Sequence, residues 1–226
     1  MIDETVFNQV IGDLFYDKRQ EALARTALVR YLGALDHAQR QERVIRLAVP
    51  YISQWVADPE NPDDDHTAAA STGDCGPACA AMLIHYATDK RPTVDQVAVA
   101  CQQKPGSKST HIWQVIMGLR AYGLSMARVR GNYRLERVLN ELEAGKPLIV
   151  LVKYSLIPGR QDVGYKWSHF MVVVGFDYDT REFLVHDPDW RGANAAKGAY
   201  FRVAWADLDA AFAYDKQNQP YQGILI

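Results

Sequence analysis

The sequence predicts an α+β protein in which a helical half packs against an antiparallel sheet. Two observations carry this prediction. Up to about residue 145, apolar side chains recur mainly at helical spacing, whereas the runs after Pro147 are β-branched and aromatic and are separated by turn residues. Helices first and strands later is the order typical of α+β proteins. With 226 residues, 48% of them hydrophobic, the chain can bury a substantial core.

Residues 5–46 are expected to form two helices, broken near Tyr16–Arg19, because apolar side chains recur there mostly every three or four positions without any proline. We interpret residues 1–46 as an N-terminal helical extension and residues 47–226 as the main domain. The extension is expected to pack against the main domain or to mediate self-association with a second copy. Binding of a separate partner is the alternative.

An extended apolar segment and an acidic loop come next. The segment AVPYISQW covers residues 48–55. The loop, residues 58–74, carries six acidic side chains and neither lysine nor arginine. Their spacing matches no EF-hand pattern, so we expect a solvated surface loop rather than a calcium site.

Four helices are predicted after this loop. The first, CGPACAAMLIHYA, begins at Cys75, with Asp74 or Thr72 available as its cap and Pro77 in its first turn, where proline is tolerated. The second begins at Thr93, which stands in capping-box spacing with Gln96. The predicted bounds of the last three are Thr93 to Gln102, Thr110 to Tyr122 and Leu135 to Glu143.

Five strands are predicted from Pro147 onward, with one more helix, residues 204–214, between the last two. The short connection at Asp179-Thr180 predicts antiparallel pairing of residues 169–178 with residues 182–187. The predicted strands cover residues 147–154, 168–179, 182–189, 199–203 and 222–226.

Charge and hydropathy argue against several classes of protein. The net charge of −2 leaves no excess of basic residues for nucleic-acid binding. The longest apolar runs, LIVLV and MVVVGF, are far shorter than the ~20 residues that span a bilayer. The acidic start, MIDETVFNQV, lacks a signal-peptide pattern, and three cysteines do not suggest a disulfide framework. A cytoplasmic protein is therefore predicted.

Cys75 is the candidate nucleophile. It is predicted at a helix N-terminus, where unpaired N–H groups stabilise a thiolate, and its own N–H is a candidate oxyanion donor. Gly76 offers no side chain to crowd an approaching carbonyl. Cys79 and Cys101 are expected within or at the end of apolar helices as small buried hydrophobes. Zinc bound by the three cysteines and His85 is not expected, since C-x-x-x-C without a second close pair is poor zinc spacing.

His169 is the candidate general base, because it opens a strongly apolar strand and so stands at its edge. Asp187 closes the strand predicted to pair with that one. Its carboxylate is expected to accept the Nδ1–H of His169 and to hold the other nitrogen toward Cys75. Ordinary turn chemistry before Pro188 is the alternative role of Asp187.

Six sequence blocks stand in a fixed order along the main domain: YISQ at 51–54, DCGPACAAM at 74–82, PTVDQVA at 92–98, GKPLIVLV at 145–152, SHFMVVVGFD at 168–177 and LVHDPD at 184–189. Taken together, they resemble the papain-like cysteine peptidases related to bacteriocin-processing, double-glycine leader peptidases. The resemblance covers residues 47–226 and implies a papain-like cysteine peptidase fold. It also implies Cys75 as nucleophile, His169 as general base, Asp187 as orienting acid and Gln54 as side-chain oxyanion donor.

The chain departs from this family at the glutamine. Family members usually carry it much closer to the cysteine, whereas here 21 positions separate Gln54 from Cys75 because the acidic loop intervenes. A loop of this length costs only modest entropy. An ordinary role in the strand or at the surface is the alternative for Gln54.

The predicted function is cleavage of a peptide or protein substrate through a thioester intermediate, without cofactor or metal. Two alternatives stay open: another thiol-dependent amidase or acyltransferase, for example on cell-wall peptides, and a catalytically silent peptide-binding module. Leader peptidases of this type are commonly fused to membrane transporters. This sequence shows a helical extension and no membrane span, so a role in bacteriocin export is not expected.

Overall fold

The computed structural model describes Thr26, Ser107 and residues 43–55, 73–104, 109–160, 168–190, 192–213 and 220–226. The predicted N-terminal helices with their break at Tyr16–Arg19, most of the acidic loop, and Thr72 lie outside these residues. The chain divides into two units, residues 1–44 and 45–226. The second unit contains nearly all of the described residues.

The described residues form five α-helices, seven β-strands and two 3₁₀ helices. The helices are α1 (Cys75–Ala87), α2 (Val94–Ala100), α3 (Ile112–Ala121), α4 (Leu135–Glu143) and α5 (Trp205–Phe212). The strands are β1 (Val44–Arg46), β2 (Arg128–Arg130), β3 (Leu148–Lys153), β4 (Ser168–Asp177), β5 (Glu182–His186), β6 (Phe201–Ala204) and β7 (Gly223–Leu225). The 3₁₀ helices are Tyr154–Leu156 and Gly192–Gly198. Within the described residues, no helix has the length and apolar character needed to cross a membrane.

The α+β class is confirmed, and the helices and strands predicted after residue 74 are present within a few residues of their expected ends. Two short strands differ from the predictions. β1 occupies the end of the stretch predicted as helical, where β-branched Val44 and Ile45 favour a strand. Leu47 N–H donates to Val174 O at 2.8 Å beside it. β2 pairs with β7, and its three residues are too few to show an alternating pattern.

β4 is the central strand of the sheet. The order of strands is β2-β7-β3-β4-β5-β6, and β1 also pairs with β4. β3 and β4 are antiparallel with Val152 opposite His169, and the predicted antiparallel pairing of β4 with β5 is confirmed. This arrangement brings the start of β4 and the end of β5 to the same region of the sheet.

Both faces of β4 are buried, which explains its continuous run of apolar residues. Phe170, Val172 and Val174 join the core that includes side chains of α1, α2 and α3. Met171 and Val173 join the core that includes α4 and α5. A register shift between Val173 and Gly175 reverses the alternation, which accounts for Phe176 lying in this second core. A Cβ at Gly175 would collide with Ile45 O, so glycine permits β1 to approach β4 there.

Candidate active site

Helix α1 places Cys75 at the edge of a core. The ten residues from Cys75 to Ile84 are buried, and Cys75 itself is 8% exposed. Asp74 occupies the N-cap position, but its side chain makes no cap hydrogen bond, contrary to the prediction. Gln103 Nε2 instead donates to Asp74 Oδ1 at 2.7 Å. Thr110 Oγ1 lies 2.7 Å from Gly73 O, so the backbone entering α1 is held from the α2–α3 connection.

Gly76 has a packing role. A Cβ at this position would lie 2.8 Å from Val115 Cγ2, 3.2 Å from Thr110 Cβ and 3.3 Å from Phe170 Cδ2. The space beside Gly76 is therefore filled by α3 and β4, and the glycine allows α1 to pack closely against both.

The structure brings His169 into contact with both predicted partners. Its Nε2 lies 2.8 Å from Asp187 Oδ1, and Cys75 lies near enough to the ring to contribute to the raised pKa of His169. The prediction that Asp187 binds Nδ1 is wrong. β5 pairs His186 with Val172, so Asp187 lies about two residues further along β4 than His169 and reaches the far nitrogen of the ring. Nδ1 is the nitrogen left for Cys75.

The surroundings of His169 favour its charged form. Burial alone would lower the pKa of the ring, but negative charge at Cys75 and hydrogen bonds to Asp187 and Cys75 outweigh burial and raise the pKa of His169 to about 10. An imidazolium next to a sulfur stabilises the thiolate. A protonated His169 is thus available to donate a proton beside the sulfur of Cys75.

Asp187 is fully buried, and both of its carboxylate oxygens accept hydrogen bonds. Oδ1 faces His169 Nε2 and accepts the Asp189 N–H at 3.1 Å. Oδ2 accepts the Tyr154 hydroxyl at 2.8 Å and lies 3.2 Å from Arg160 Nε. Burial opposes ionisation, but the hydrogen bond and charge of His169, followed by the charge of Arg160, hold the pKa of Asp187 below its usual range. The bond from Asp189 N–H also shows that Asp187 has a turn role in addition to its contact with His169.

Gln54 lies beside the segment that carries Asp187. Its N–H donates to Pro188 O at 3.0 Å, and the residue is buried. Ser53 Oγ donates to Trp190 O at 2.9 Å, and Tyr51 OH donates to Asp187 O at 3.1 Å. The segment 49–55 is therefore fastened to residues 186–190. This explains how Gln54 can be held near the site although the sequence separates it from Cys75 by 21 positions.

His186 has a structural role, because it helps to join the segment 49–55 to residues 186–190. Its Nε2 lies 2.8 Å from Val49 O, and its Nδ1 accepts the Tyr200 N–H at 3.0 Å. These two contacts require a neutral ring protonated on Nε2. Burial lowers the pKa of His186, which favours the same neutral form. His186 thus ties the Gln54 segment to β5.

Sequence reasoning missed Tyr154, Arg160 and Asp189, which surround the carboxylate of Asp187. The ring of Tyr154 also packs against that of His169 in a tilted arrangement, with 4.0 Å between the ring centroids. Arg160 is 6% exposed and pairs with Asp189 as well as with Asp187. Arginine in a loop normally reads as solvent-exposed, so the sequence carries no signal for its burial. Within the described ranges, no group of three or more His, Cys, Asp or Glu side chains is arranged to hold a metal.

In this α+β fold, a cysteine at the N-terminus of a helix lies beside a histidine and a carboxylate carried by an antiparallel sheet. Papain-like proteins have this arrangement. The model of the Peptidase_C39-like family matches residues 46–212, and the chain belongs to this family. All four predicted site residues, Gln54, Cys75, His169 and Asp187, lie within the matched stretch. The family resemblance seen in the sequence is confirmed.

Two solved structures are similar to this chain. A crystal structure of a candidate C39-like peptidase from Bacillus anthracis is 14% identical with a TM-score of 0.52, and the match covers 80% of this chain and 96% of that one. The peptidase domain of Streptococcus ComA, a bifunctional ABC transporter of a quorum-sensing pathway, is 17% identical with a TM-score of 0.47, covering 68% and 90%. No curated protein matches. The likeness to the Bacillus anthracis structure confirms the papain-like fold.

Proposed function

We propose that this protein is a cysteine peptidase that uses Cys75, His169 and Asp187, with Gln54 as an oxyanion donor. One observation carries the proposal. Cys75 begins α1, and it interacts with His169, whose Nε2 lies 2.8 Å from the buried carboxylate of Asp187. Membership of the C39-like family supports peptide bonds as the target.

The first half of the reaction forms a thioester. The thiolate of Cys75 attacks the carbonyl carbon of the scissile peptide bond, and the carbonyl oxygen becomes an oxyanion. The Cys75 N–H and the Gln54 side-chain amide donate to that oxyanion. His169 gives its Nδ1 proton to the leaving nitrogen, the C–N bond breaks, and the amine product departs. The acyl group then remains on the sulfur.

The second half releases the acyl group. His169, now neutral, takes a proton from a water molecule, and the hydroxide attacks the thioester carbon. The C–S bond breaks, a carboxylic acid product leaves, and the imidazolium–thiolate pair is restored. Asp187 keeps one nitrogen of His169 bonded in both halves, so the other nitrogen always faces the sulfur and the reacting atoms.

A cleavage assay tests the proposed function. The full chain is incubated with synthetic double-glycine leader peptides, unrelated peptides and cell-wall fragments, and the products are identified by mass spectrometry. We expect internal peptide bonds to be cut, each cut yielding a new amine and a new carboxylic acid. Turnover of cell-wall fragments alone would identify a different thiol amidase. No turnover of any substrate would indicate a silent peptide-binding module.

A further inference from the structure

A buried group of side chains behind Asp187 takes no part in the bond-making steps. It consists of Tyr154, Arg160 and Asp189, here called the Arg160 cluster. Arg160 Nε lies 2.5 Å from Tyr154 Oη and 3.2 Å from Asp187 Oδ2. Its Nη2 lies 3.0 Å from Asp189 O and 3.1 Å from Asp189 Oδ2. The guanidinium also stacks on Trp190, with Cζ 4.4 Å from the ring centroid.

The charge balance of this cluster bears directly on Asp187. Asp187 and Asp189 are both buried and share Arg160 as an ion-pair partner. Two carboxylates in a shared low-dielectric site disfavour each other's ionisation. Arginine stays protonated at all working pH values, so Arg160 supplies a constant positive charge to both. Without Arg160, His169 would be the only cationic partner of Asp187 among the residues that the structure describes.

The hydrogen bonds of the cluster also fix the orientation of the carboxylate. Oδ2 faces the Tyr154 hydroxyl and Arg160 Nε, which leaves Oδ1 for His169. An asparagine at position 187 with its oxygen toward His169 would turn its NH₂ group toward the Nε–H of Arg160, placing donor against donor. Other papain-like proteases use asparagine as the third residue. The cluster accounts for a carboxylate in this chain.

We propose that Arg160 is a positioning residue, which holds Asp187 in its ionised form and in the one orientation that keeps His169 aimed at Cys75. This inference rests on the proposed function, since it concerns the same reaction. Tyr154 connects Arg160 to Asp187, because its hydroxyl accepts the Nε–H of Arg160 and donates to Asp187 Oδ2, and its ring packs against that of His169. The described contacts of Arg160 are with Tyr154, Asp187, Asp189 and Trp190, so Arg160 acts on the reaction through Asp187.

The pH dependence of the site follows from the groups that face Asp187. These groups are His169 of β4, Tyr154 of the 3₁₀ helix after β3, Arg160, Asp189, Tyr51 of the extended segment and Cys79 of α1. Burial raises the pKa of Tyr154, Tyr51 and Cys79, so all three stay neutral at working pH. Loss of Arg160 therefore raises the pKa of Asp187, and activity that needs the carboxylate fails at a higher pH than in the native protein.

Arg160→Met is the test variant. We expect kcat to fall at least about tenfold with KM changed less than about twofold, because the interaction acts on the reacting groups rather than on substrate binding. The acidic limb of the kcat profile should move to higher pH. Arg160→Lys keeps a positive charge, so its acidic limb should lie between those of the native protein and Arg160→Met. Adding Asp189→Asn to Arg160→Met removes one of the competing negative charges and should also move the limb back.

The matched control is Arg202→Met. Arg202 also pairs with two carboxylates, Asp177 and Glu182, but its side chain is 48% exposed and contacts none of the proposed catalytic residues. We expect its kcat and acidic limb to match those of the native protein. Near-UV circular dichroism identifies any variant that has lost its tertiary structure. If Arg160→Met has lost it, the kcat and the acidic limb of Arg160→Lys are compared with those of the native protein instead.

The rate of Cys75 alkylation by iodoacetamide across pH separates the two proposals. If Cys75 of the native protein is not selectively alkylated, the proposed function fails. If it is, and folded Arg160→Met shows the same alkylation profile and the same acidic limb as the native protein, the role of Arg160 is overturned. A lower kcat with an unmoved limb and no recovery on adding Asp189→Asn would also overturn it, since a merely structural defect behaves in this way.

Discussion

Replacement of Cys75 by alanine is expected to lower kcat by at least about 10⁴-fold, because the variant has no atom that can form the thioester. The protein should remain folded. Cys75 lies at the edge of its core, and the residues after it in α1 are buried by their own contacts with α3 and β4. The cleavage rate is measured by mass spectrometry, and thermal unfolding of the same sample reports on the fold.

Cys101→Ala is the matched control for this experiment. Cys101 is also a buried cysteine, and a Cβ at Gly118 would meet its sulfur, so it packs between α2 and α3 rather than near His169. Its loss should change kcat less than about twofold. A Cys75→Ala variant that kept more than about a tenth of the native kcat would contradict the assignment of Cys75 as nucleophile.

Replacement of Gln54 by alanine should lower kcat by about 10²–10³-fold with little change in KM, because an oxyanion donor acts in the transition state. Gln54→Glu retains the size of the side chain but loses the donor, so it should be similarly impaired. Progress curves at several substrate concentrations give kcat and KM separately. The fold should survive both changes, since the backbone bond from Gln54 N–H to Pro188 O remains.

Gln96→Ala controls for the loss of a glutamine amide. Gln96 completes the capping box of α2, in which its Oε1 accepts the Thr93 N–H at 3.0 Å. Its loss should cost about 0.5–2 kcal/mol of stability and leave kcat unchanged. A Gln54→Ala variant with native kcat would favour the alternative, in which Gln54 is an ordinary residue of the segment fastened to residues 186–190.

The sequence was most informative where a segment is long and has one clear period. α1 and β4 could be predicted because their apolar runs are longer than those usually found in loops. α2 could be predicted because Thr93 and Gln96 have capping-box spacing, and the structure contains that capping box. β1 and β2 could not be predicted. Each has three residues, and each is a strand because of a distant partner, β4 or β7.

Cys75, His169 and Asp187 could be proposed from their predicted places at the ends of a helix and two strands, and from sequence blocks that resemble one family. Which nitrogen of His169 meets Asp187 could not be predicted, because the answer depends on the register of β4 and β5. Arg160 was missed for a related reason. Its contacts with Asp187 and Asp189 bridge 27 and 29 positions, and nothing in its own neighbourhood, PGRQ, indicates burial.

Gln54 shows why spacing along the chain was a poor guide here. Its backbone N–H donates to Pro188 O, and Ser53 Oγ donates to Trp190 O, so residues far along the sequence hold its segment. The division into an extension of residues 1–46 and a domain of residues 47–226 stays a prediction, as does self-association or partner binding through the extension.

The most direct test of the account is the rate at which iodoacetamide modifies each cysteine near neutral pH, mapped by peptide mass spectrometry. Burial raises the pKa of Cys101 to about 12 and that of Cys79 well above its usual range, so both thiols stay protonated and unreactive. We predict that Cys75 reacts at least about 10²-fold faster than either, and that His169→Ala removes most of this advantage. Equal slow modification of all three cysteines, or a Cys75 rate that does not depend on His169, would contradict the account.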